Sequence, residues 1–387
     1  MPGRLVERVV SSDKLVGGLS RATAEAIAAL YAGIVTEGTI HVTNSLTAEI
    51  VKTLENAYRD VRIAFSAEVV RWCDAGDVDF YALRDQVNEQ LAQTDGASMD
   101  PSVVPSGGLL VPTVGVGGHC LPKDGILLWW RRLEAGDPMA AHSLILESRR
   151  INDDSPALTL GLAQETFGPL RGQHVTVLGA AYRSDSEDTR NSPSLVLAEG
   201  LRAAGAAVRL HDPYVRPGDQ NLRRAGLAAI FTNDFEESVR DAAVVIVATG
   251  HRVYREGLDT LIAAAPQSVG IVDACNAWRP EVLTSRGSRH VGIGRGARAP
   301  SDELVAFVAD AFRAVERGAA NEVHGVAASL NARYAGDESS RADITEIRRL
   351  AATCVTGCNL PAPGPVRSLE PHDGFLPRLA SRAVTAG

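Results

Sequence analysis

One long stretch near the N-terminus carries apolar residues at helical spacing. Between residues 45 and 74 they recur every three or four positions, so they share one stripe of a helix with 3.6 residues per turn. The stripe consists of Leu46, Ile50, Leu54, Ala57, Val61, Ala64 and Phe65. Ser45 or Thr47 is placed to cap its start. The pattern therefore predicts a single long helix, whose apolar stripe is broader than one neighbouring helix needs.

The segments around this helix are of two kinds. Before it, residues 14–18 and 39–44 resemble strands and flank a helical pattern at 21–34. After it, residues 95–119 are rich in Gly, Pro and Ser and are too long for a simple connection, so we expect them to be functional or disordered. Further helical patterns lie at 80–93, 124–136, 138–151 and 154–167. Residues 45–170 are therefore predicted to form a helical middle domain.

The hydrophobic pattern changes at residue 174. Apolar strands at 174–179, 206–212, 228–232, 243–248 and 269–274 alternate with helical stretches at 193–204, 234–242 and 257–264. Such alternation indicates a parallel sheet that is covered on both faces. The predicted fold class is α/β: the helical middle domain, then a doubly wound, Rossmann-like domain at 171–297. The remaining residues, 298–387, are predicted to hold one helix at 302–317 and a poorly ordered, Pro-rich stretch at 359–371.

Composition and charge exclude several functional classes. The chain has 387 residues, a net charge of −8 and a pI near 5.7, which argues against a general nucleic-acid binder. It has neither an apolar stretch that could span a membrane nor a secretory signal, so a cytoplasmic location without membrane contact is predicted. Its five cysteines are scattered, which fits reduced thiols. Cys354 and Cys358 lack a partner pair at zinc spacing, so no metal site is predicted.

The first candidate for a binding site follows the strand at 174–179. Gly179 precedes Ala180 and Ala181, which could be the start of a dinucleotide-binding turn, but two of the three fingerprint glycines are missing. A tight strand-to-helix turn is the better explanation of the single glycine. The next helix is delayed until Pro193, and an anionic nucleotide group could bind at its N-terminus beside Arg183 and Arg190.

The second candidate is the segment at 114–125, which ends the long loop. Its three glycines allow a close approach of backbone and ligand: Gly115, Gly117 and Gly118. His119 and Cys120 follow, and Cys120 precedes a predicted helix N-terminus, a position that favours the nucleophilic thiolate. Asp124 lies one helical turn further on and could position or deprotonate a water molecule. The spacing alone is equally compatible with a flexible glycine loop that carries an incidental cysteine.

The third candidate is a pair on the long helix. Lys52 and Asn56 are one turn apart and lie near the apolar stripe, so we expect them to point into the helical domain. Lysine is otherwise present only at positions 14 and 123, which makes Lys52 conspicuous. A buried ammonium beside an amide would stabilise an oxyanion. The alternative is a solvated helix face, with Glu55 and Arg59 forming an ion pair.

Four segments in this order resemble the UDP-glucose/GDP-mannose dehydrogenase family, whose members oxidise the primary alcohol of a nucleotide sugar to a carboxylate with two NAD. Residues 47–68 resemble the central helix of the family, 111–124 its catalytic cysteine loop, 148–156 its domain connector and 177–193 its sugar-nucleotide-binding domain. The histidine before Cys120 resembles the branch that acts on UDP-N-acetylmannosamine or UDP-N-acetylglucosamine.

The resemblance implies a role for each candidate residue. Cys120 would attack the aldehyde that the first oxidation produces, and the second oxidation would give a thioester for water to cleave. Lys52 and Asn56 would hold the oxyanion, and Asp124 would orient the water. The substrate, a UDP-sugar, would be bound by the loop that includes His119 and the three glycines and, through its nucleotide, by Arg183 and Arg190. A homodimer is also implied, which agrees with the broad apolar stripe.

Some features depart from the family pattern. Family members begin with an NAD-binding domain, of which residues 1–44 resemble only a remnant, so the NAD implied by the family has no complete binding site here. Ala67 stands where the family usually has Asn, and Cys275 where a substrate-binding Arg is common. Three interpretations stay open: a nucleotide-sugar 6-dehydrogenase whose NAD is held outside this chain, a non-catalytic nucleotide-sugar-binding or regulatory paralogue, and a shortened gene model.

Overall fold

A computed structural model describes residues 5–95, 108–333, 340–353 and 358–386. The N-terminal part contains helix α1 (Leu5–Ser11), strand β1 (Lys14–Gly18), helix α2 (Arg21–Ala32) and strand β2 (Ile40–Asn44). Strands β1 and β2 pair in parallel, from Lys14 opposite Ile40 to Gly18 opposite Asn44. They form a two-stranded sheet of their own, with α2 packed against it. The predicted strand, helix and strand are therefore all present.

The next helices form the helical layer of the molecule. They are α3 (Ser45–Ala75), α4 (Phe80–Asp95), α5 (Leu121–Glu134) and α6 (Leu144–Phe167). The long helix is confirmed, but its cap is Asn44, whose side chain accepts a hydrogen bond from the backbone of Thr47 at 2.8 Å. The predicted division into two helices, 138–151 and 154–167, is wrong, because α6 runs without a break through Pro156. A 3₁₀ helix (Pro138–His142) precedes it.

The backbone around this proline is fixed from outside the helix. The Asn152 amide donates to the backbone carbonyl and to the carboxylate of Asp60, at 2.9 and 2.8 Å. A proline in a helix interior removes one backbone hydrogen bond and usually kinks or ends the helix. The bonds between α6 and α3 hold the turn before Pro156 in place, which explains why the helix continues.

The α/β domain has a six-stranded sheet. Its strands are β3 (His174–Leu178), β4 (Ala207–His211), β5 (Phe231–Thr232), β6 (Val244–Val247), β7 (Gly270–Asp273) and β8 (Arg289–Gly292). All pairs are parallel and the order is β5-β4-β3-β6-β7-β8. The predicted doubly wound sheet is confirmed, although strand β8 was not predicted and residues 228–230 form a 3₁₀ helix rather than strand.

Helices cover the sheet and define its binding edge. They are α7 (Pro193–Ala203), α8 (Gln220–Arg224), α9 (Phe235–Val239), α10 (Arg252–Glu256), α11 (Leu258–Ala264) and α12 (Pro280–Ser285). The strand order reverses between β3 and β6. In open parallel sheets, ligands bind in the crevice at such a reversal, outside the carboxyl ends of the strands.

The C-terminal part packs on the helical layer. It contains α13 (Asp302–Arg333), α14 (Ile344–Ala351) and α15 (Arg378–Ala386), so the helix predicted at 302–317 is about twice as long and two more follow. Helices α13 and α14 lie against α3. The broad stripe that suggested a homodimer is thus covered within the chain. Residues 359–371 lack regular structure, although Leu360 is buried, and the poor order predicted for this stretch stays a prediction.

Two buried carboxylates join the C-terminal part to the helical layer. Glu68 of α3 accepts hydrogen bonds from the first backbone N–H groups of α15, at Arg378 (2.8 Å) and Leu379 (3.0 Å). Glu322 of α13 does the same at the start of α6. A carboxylate at a helix N-terminus satisfies N–H groups that have no partner within the helix. The C-terminal part is therefore an integral element of the fold.

Two parts of the chain that the sequence singled out are not described by the structure. Residues 96–107 of the predicted long loop, and Cys354, lie outside the described residues. Within the described ranges, no group of three His, Cys, Asp or Glu side chains is arranged to hold a metal ion. Likewise, none of the helices described is long and apolar enough to cross a membrane.

Candidate active site

Cys120 lies at the start of a helix, as predicted. It is the residue before α5, and its carbonyl accepts hydrogen bonds from the backbone of Lys123 (3.1 Å) and Asp124 (2.9 Å). The helix begins at Leu121, three residues earlier than predicted, because Pro122 fits the first turn. The thiol is exposed. Cys120 thus combines access from solvent with a position at the N-terminus of a helix.

The glycine loop before Cys120 fits closely against the α/β domain. A Cβ atom at Gly117 would lie 2.3 Å from Cβ of Tyr182, and one at Gly118 would lie 2.9 Å from the Tyr182 ring. Gly118 also has a positive φ of 87°, which favours glycine. Side chains larger than hydrogen would therefore push the loop away from Tyr182.

Two hydrogen bonds fasten the same loop. The backbone N–H of Gly118 donates to the carbonyl of Arg190 at 2.8 Å, and the side-chain amide of Asn191 donates to the carbonyl of Gly118 at 2.9 Å. Asn191 has a positive φ of 48°, a conformation that asparagine tolerates better than most residues. The structure thus joins the predicted cysteine loop to the predicted nucleotide segment, two residues before Cys120.

Asp124 is buried beneath the start of α5. Its carboxylate accepts a hydrogen bond from the Asn56 amide at 2.6 Å and one from the Lys123 ammonium at 2.5 Å. The sequence placed Asn56 and Asp124 in one site, and the structure brings them into direct contact. Lys123 was not selected from the sequence, although its position next to Asp124 and the scarcity of lysine were signals.

Lys52 does not point into the helical domain, and the expectation of a buried ammonium was wrong. Its side chain is 63% exposed, and the ammonium lies 3.9 Å from Glu55 on the same helix. At 100° per residue, position 52 projects away from the face that buries Ile50, Leu54 and Ala57. The alternative of a solvated helix face therefore holds for Lys52.

A cavity of about 240 Å³ opens at the carboxyl ends of β3, β6 and β7. Its walls are the loop before Cys120, the turn after β3, the start of α7 and the segments that follow β6 and β7. Gly115, Tyr182, Ser194, Arg255 and Cys275 are among the lining residues. The cavity lies where the strand order reverses, as the rule for open parallel sheets requires. Through Tyr182 it adjoins the loop that carries Cys120.

The two arginines predicted to meet the nucleotide do not line this cavity. Arg183 is exposed. Arg190 is held by Asp188 through two hydrogen bonds of 2.9 and 2.6 Å, and this contact lowers the pKa of the Asp188 carboxyl. His119 is exposed and also lies outside the cavity lining. Arg255 is the cation among the described residues that line the cavity, and it was not selected from the sequence. The available signal was its position shortly after the apolar strand β6, at the carboxyl end of that strand.

The turn after β3 does not fit a dinucleotide. Asp212 is fully buried, and its carboxylate accepts hydrogen bonds from the backbone of Ala180 and Ala181, both at 2.9 Å, and from His251 at 3.1 Å. Burial opposes the ionisation of Asp212, but these bonds outweigh it and lower its pKa. A Cβ atom at Gly179 would lie 2.5 Å from Thr249. The N–H groups that would hold a pyrophosphate, and the acid that would hold a ribose, are therefore already used.

Two family models match the chain. Residues 46–154 match the central domain of the UDP-glucose/GDP-mannose dehydrogenase family, and residues 176–280 match the UDP binding domain of the same family. Among curated proteins, the UDP-N-acetyl-D-mannosamine dehydrogenase of Pyrococcus horikoshii is 32% identical over 300 residues, which are 76% of this chain and 63% of the relative. The corresponding protein of Methanococcus vannielii is 27% identical over 303 residues.

Solved structures give the same result. The NDP-N-acetyl-D-galactosaminuronic acid dehydrogenase of Methanosarcina mazei is 31% identical, with a TM-score of 0.63, and the match covers 76% of this chain and 61% of that one. The UDP-D-ManNAc dehydrogenase of Pyrococcus horikoshii is 32% identical, with a TM-score of 0.60, over 77% and 63% of the two chains. The chain thus spans less than two thirds of the length of these relatives.

Proposed function

Because the chain belongs to the UDP-glucose/GDP-mannose dehydrogenase family, we propose that it acts in the oxidation of a UDP-sugar, with the nucleotide in the cavity beside Tyr182 and the sugar at Cys120. The observation that supports this most directly is the fastening of the Cys120 loop to the cavity wall by Gly118 and Asn191. It sets an exposed thiol beside a cavity at the strand reversal. The names of the relatives make an N-acetylated UDP-hexosamine the first substrate to test.

The chain's own residues account for two steps of such a reaction. In the first, the Cys120 thiolate adds to the aldehyde carbon of the partly oxidised sugar, and the carbonyl oxygen takes up a proton, which gives a thiohemiacetal. In the second, water adds to the thioester carbon, the C–S bond breaks and the carboxylate leaves, which restores the Cys120 thiol. Asp124 is the proposed group that orients this water, and Asn56 holds Asp124 in place.

Lys52 and Asn56 are both proposed to stabilise the oxyanion of these steps. Only Asn56 contacts another residue of the proposed site in the structure, through Asp124. Lys52 would reach an oxyanion after its side chain rotates away from Glu55. The support for the four proposed catalytic residues, Cys120, Lys52, Asn56 and Asp124, is therefore unequal. Cys120 and Asp124 are the primary targets for mutation.

NAD, the hydride acceptor implied by the family, does not fit the described residues. The backbone N–H groups after Gly179 donate to the Asp212 carboxylate and are not available to a cofactor. Strands β1 and β2 form a sheet of only two strands. We therefore propose that the cofactor is held outside this chain. Bound NAD would accept the hydrides released when the alcohol and the thiohemiacetal are oxidised.

The dehydrogenase proposal is tested by NADH absorbance. The purified chain is mixed with NAD and a panel of UDP-hexoses and UDP-N-acetylhexosamines, with and without the separately expressed NAD-binding domain of a relative. NADH formation with one sugar supports the proposal, and Cys120→Ser should then abolish it. Absence of NADH with every sugar, with the added domain present, contradicts it.

A non-catalytic nucleotide-sugar-binding or regulatory protein is the second candidate. The poor fit of the described residues to a dinucleotide favours it. Calorimetry would then detect UDP-sugar binding that Cys120→Ser leaves unchanged, and no turnover would accompany it. The predicted homodimer and cytoplasmic location stay predictions. Because α13 and α14 cover the apolar stripe of α3, that stripe no longer supports a dimer, and light scattering in solution would decide its oligomeric state.

A further inference from the structure

The cavity at the strand reversal has one cation among its described lining residues. This is Arg255, on the short helix after β6. A Cβ atom at Gly250 would lie 3.0 Å from Nη2 of Arg255 and 3.5 Å from Sγ of Cys275, so the guanidinium and the thiol lie side by side over Gly250. Arg255 therefore occupies the neighbourhood in which the family commonly places an arginine at the position of Cys275.

The guanidinium of Arg255 has no carboxylate partner within the part of the chain that the structure describes. Two other arginines of the α/β domain differ, since Arg190 pairs with Asp188 at 2.6 Å and Arg209 pairs with Asp241 at 2.6 Å. A guanidinium that faces a cavity without a counter-charge is free to bind a phosphate through two parallel N–H groups. Its charge is thus available to a ligand.

A second, independent feature of the cavity points to an anion. Ser194 lines it at the start of α7 and is 1% exposed, yet its hydroxyl oxygen has no hydrogen-bond partner among the described residues. Buried hydroxyl groups are nearly always hydrogen-bonded, so an unpaired one beside a cavity indicates a missing polar partner. In the first turn of the eleven-residue helix α7, Pro193 has no N–H group and Leu195 donates to the carbonyl of Ser192 at 3.1 Å, so Ser194 is the residue that can offer both a backbone N–H and a hydroxyl to a ligand. Anions bind at such helix ends.

Cys275 adds no positive charge to this arrangement. Its Sγ lies 3.8 Å from an oxygen of Asp273, and burial raises the pKa of the thiol well above its ordinary value, so it stays neutral. A neutral thiol next to an arginine leaves all of the positive charge of the cavity wall to that arginine.

We propose that Arg255, together with Ser194 at the start of α7, binds the diphosphate of the nucleotide, and that Arg255 supplies the charge that Cys275 does not. The inference rests on the proposed function, because it assumes that the cavity takes the nucleotide. It assigns the phosphate contact to a residue on the α10 helix rather than to Arg183 or Arg190.

Calorimetric titration of the full chain tests this assignment. The probes are UDP, uridine and inorganic pyrophosphate, and the variants are Arg255→Gln, Arg255→Lys and the matched control Arg252→Gln. Arg252 is exposed on the same short helix but does not line the cavity. For Arg255→Gln we expect UDP to bind roughly ten-fold more weakly and pyrophosphate binding to be lost, because a charge-assisted contact is removed. Uridine affinity should not change, and Arg255→Lys should retain part of the UDP affinity.

The outcomes separate this proposal from the proposed function. Equal UDP affinity of the wild type and Arg255→Gln would overturn the assignment. An equal loss of UDP and uridine affinity would also overturn it, since Arg255 would then shape the cavity instead of binding phosphate. If the wild-type chain bound neither UDP nor uridine, the proposed function itself would fail. Circular dichroism of each variant checks that the fold is retained.

Discussion

Glu322 offers a direct test of how the C-terminal helices are attached. Its side chain comes from α13 and is fully buried against the start of α6. One carboxylate oxygen accepts from the Ser143 hydroxyl at 2.5 Å and lies 3.6 Å from Arg132. The other accepts from the backbone of Leu144 at 2.9 Å and of Ile145 at 3.1 Å. Both oxygens therefore act as acceptors, which a carboxylate does and an amide cannot do.

The substitution Glu322→Gln keeps the shape but turns one acceptor into a donor. The new NH2 group must face either Ser143 and Arg132 or two backbone N–H groups. Hydrogen bonds to a charged group contribute about 1.5–3 kcal/mol each, and removing one partner of a buried charge network costs about 3–5 kcal/mol. Because Gln retains one oxygen acceptor, we expect the free energy of unfolding to fall by about 3 kcal/mol, at the lower end of that range.

Urea unfolding followed by tryptophan fluorescence measures this loss. Three of the four tryptophans, Trp72, Trp129 and Trp130, lie on α3 and α5, and the fourth, Trp278, lies in the α/β domain, so the signal follows both parts of the molecule. The matched control is Glu303→Gln at the exposed start of α13, which should change the free energy of unfolding by less than about 0.5 kcal/mol. A loss of under about 1 kcal/mol for Glu322→Gln would show that α13 is not docked through this carboxylate.

Three further predictions concern the site and the pH dependence of stability. Asn191→Asp removes the amide donor to Gly118, so the alkylation rate of the Cys120 thiol, measured by peptide mass mapping, should change about five-fold; an unchanged rate would contradict the positioning role. Saturating UDP should slow the same alkylation several-fold, because the nucleotide cavity adjoins the loop. Equal alkylation rates with and without UDP would show that the nucleotide does not bind beside the Cys120 loop. Burial raises the pKa of Asp74 to about 6, so its stabilising effect is present below pH 4 and is lost as the pH rises through 6. Relative to wild type, Asp74→Asn should therefore gain about 2 kcal/mol in urea unfolding between pH 4 and pH 7, and a constant difference would refute this.

Local patterns in the sequence were sufficient for the helices and strands with a strong period. Helix α3 and the apolar strands of the α/β domain carry their own signal, because each buries a complete face or stripe. Helix α13 was predicted to end at residue 317 but continues to Arg333. Its second half contains Gly318 and Gly325 and buries mainly small residues, so its hydrophobic period is weak, and packing against α5 and α15 stabilises it. That contribution is tertiary and leaves only a weak periodic signal in the sequence.

In the candidate site, too, the sequence predicted some side chains correctly and not others. Cys120 and Asp124 could be selected because a glycine-rich loop, a cysteine and a helix start stand together in the sequence. The exposure of Lys52 could have been predicted, since at 100° per residue its position lies on the side of α3 opposite Ile50, Leu54 and Ala57. Arg255 lies more than a hundred residues from Cys120 in the sequence. Only the topology of the sheet, which brings the ends of β3 and β6 together, places it beside the loop.

The α/β domain uses a dinucleotide-type architecture without its usual binding turn. In that architecture the N–H groups after the first strand hold a pyrophosphate and the acid after the second strand holds a ribose. Here the two partners bind each other, because Asp212 accepts from Ala180 and Ala181. Their contact closes the turn and moves the open space of the crevice towards the ends of β6 and β7, where Arg255 and Cys275 lie. The Asp212 carboxylate, which would repel a phosphate, is hydrogen-bonded within the protein, and Arg255 is the positively charged side chain among the described residues that line the cavity. The same parallel sheet can therefore receive a nucleotide beside the Cys120 loop rather than at its first turn.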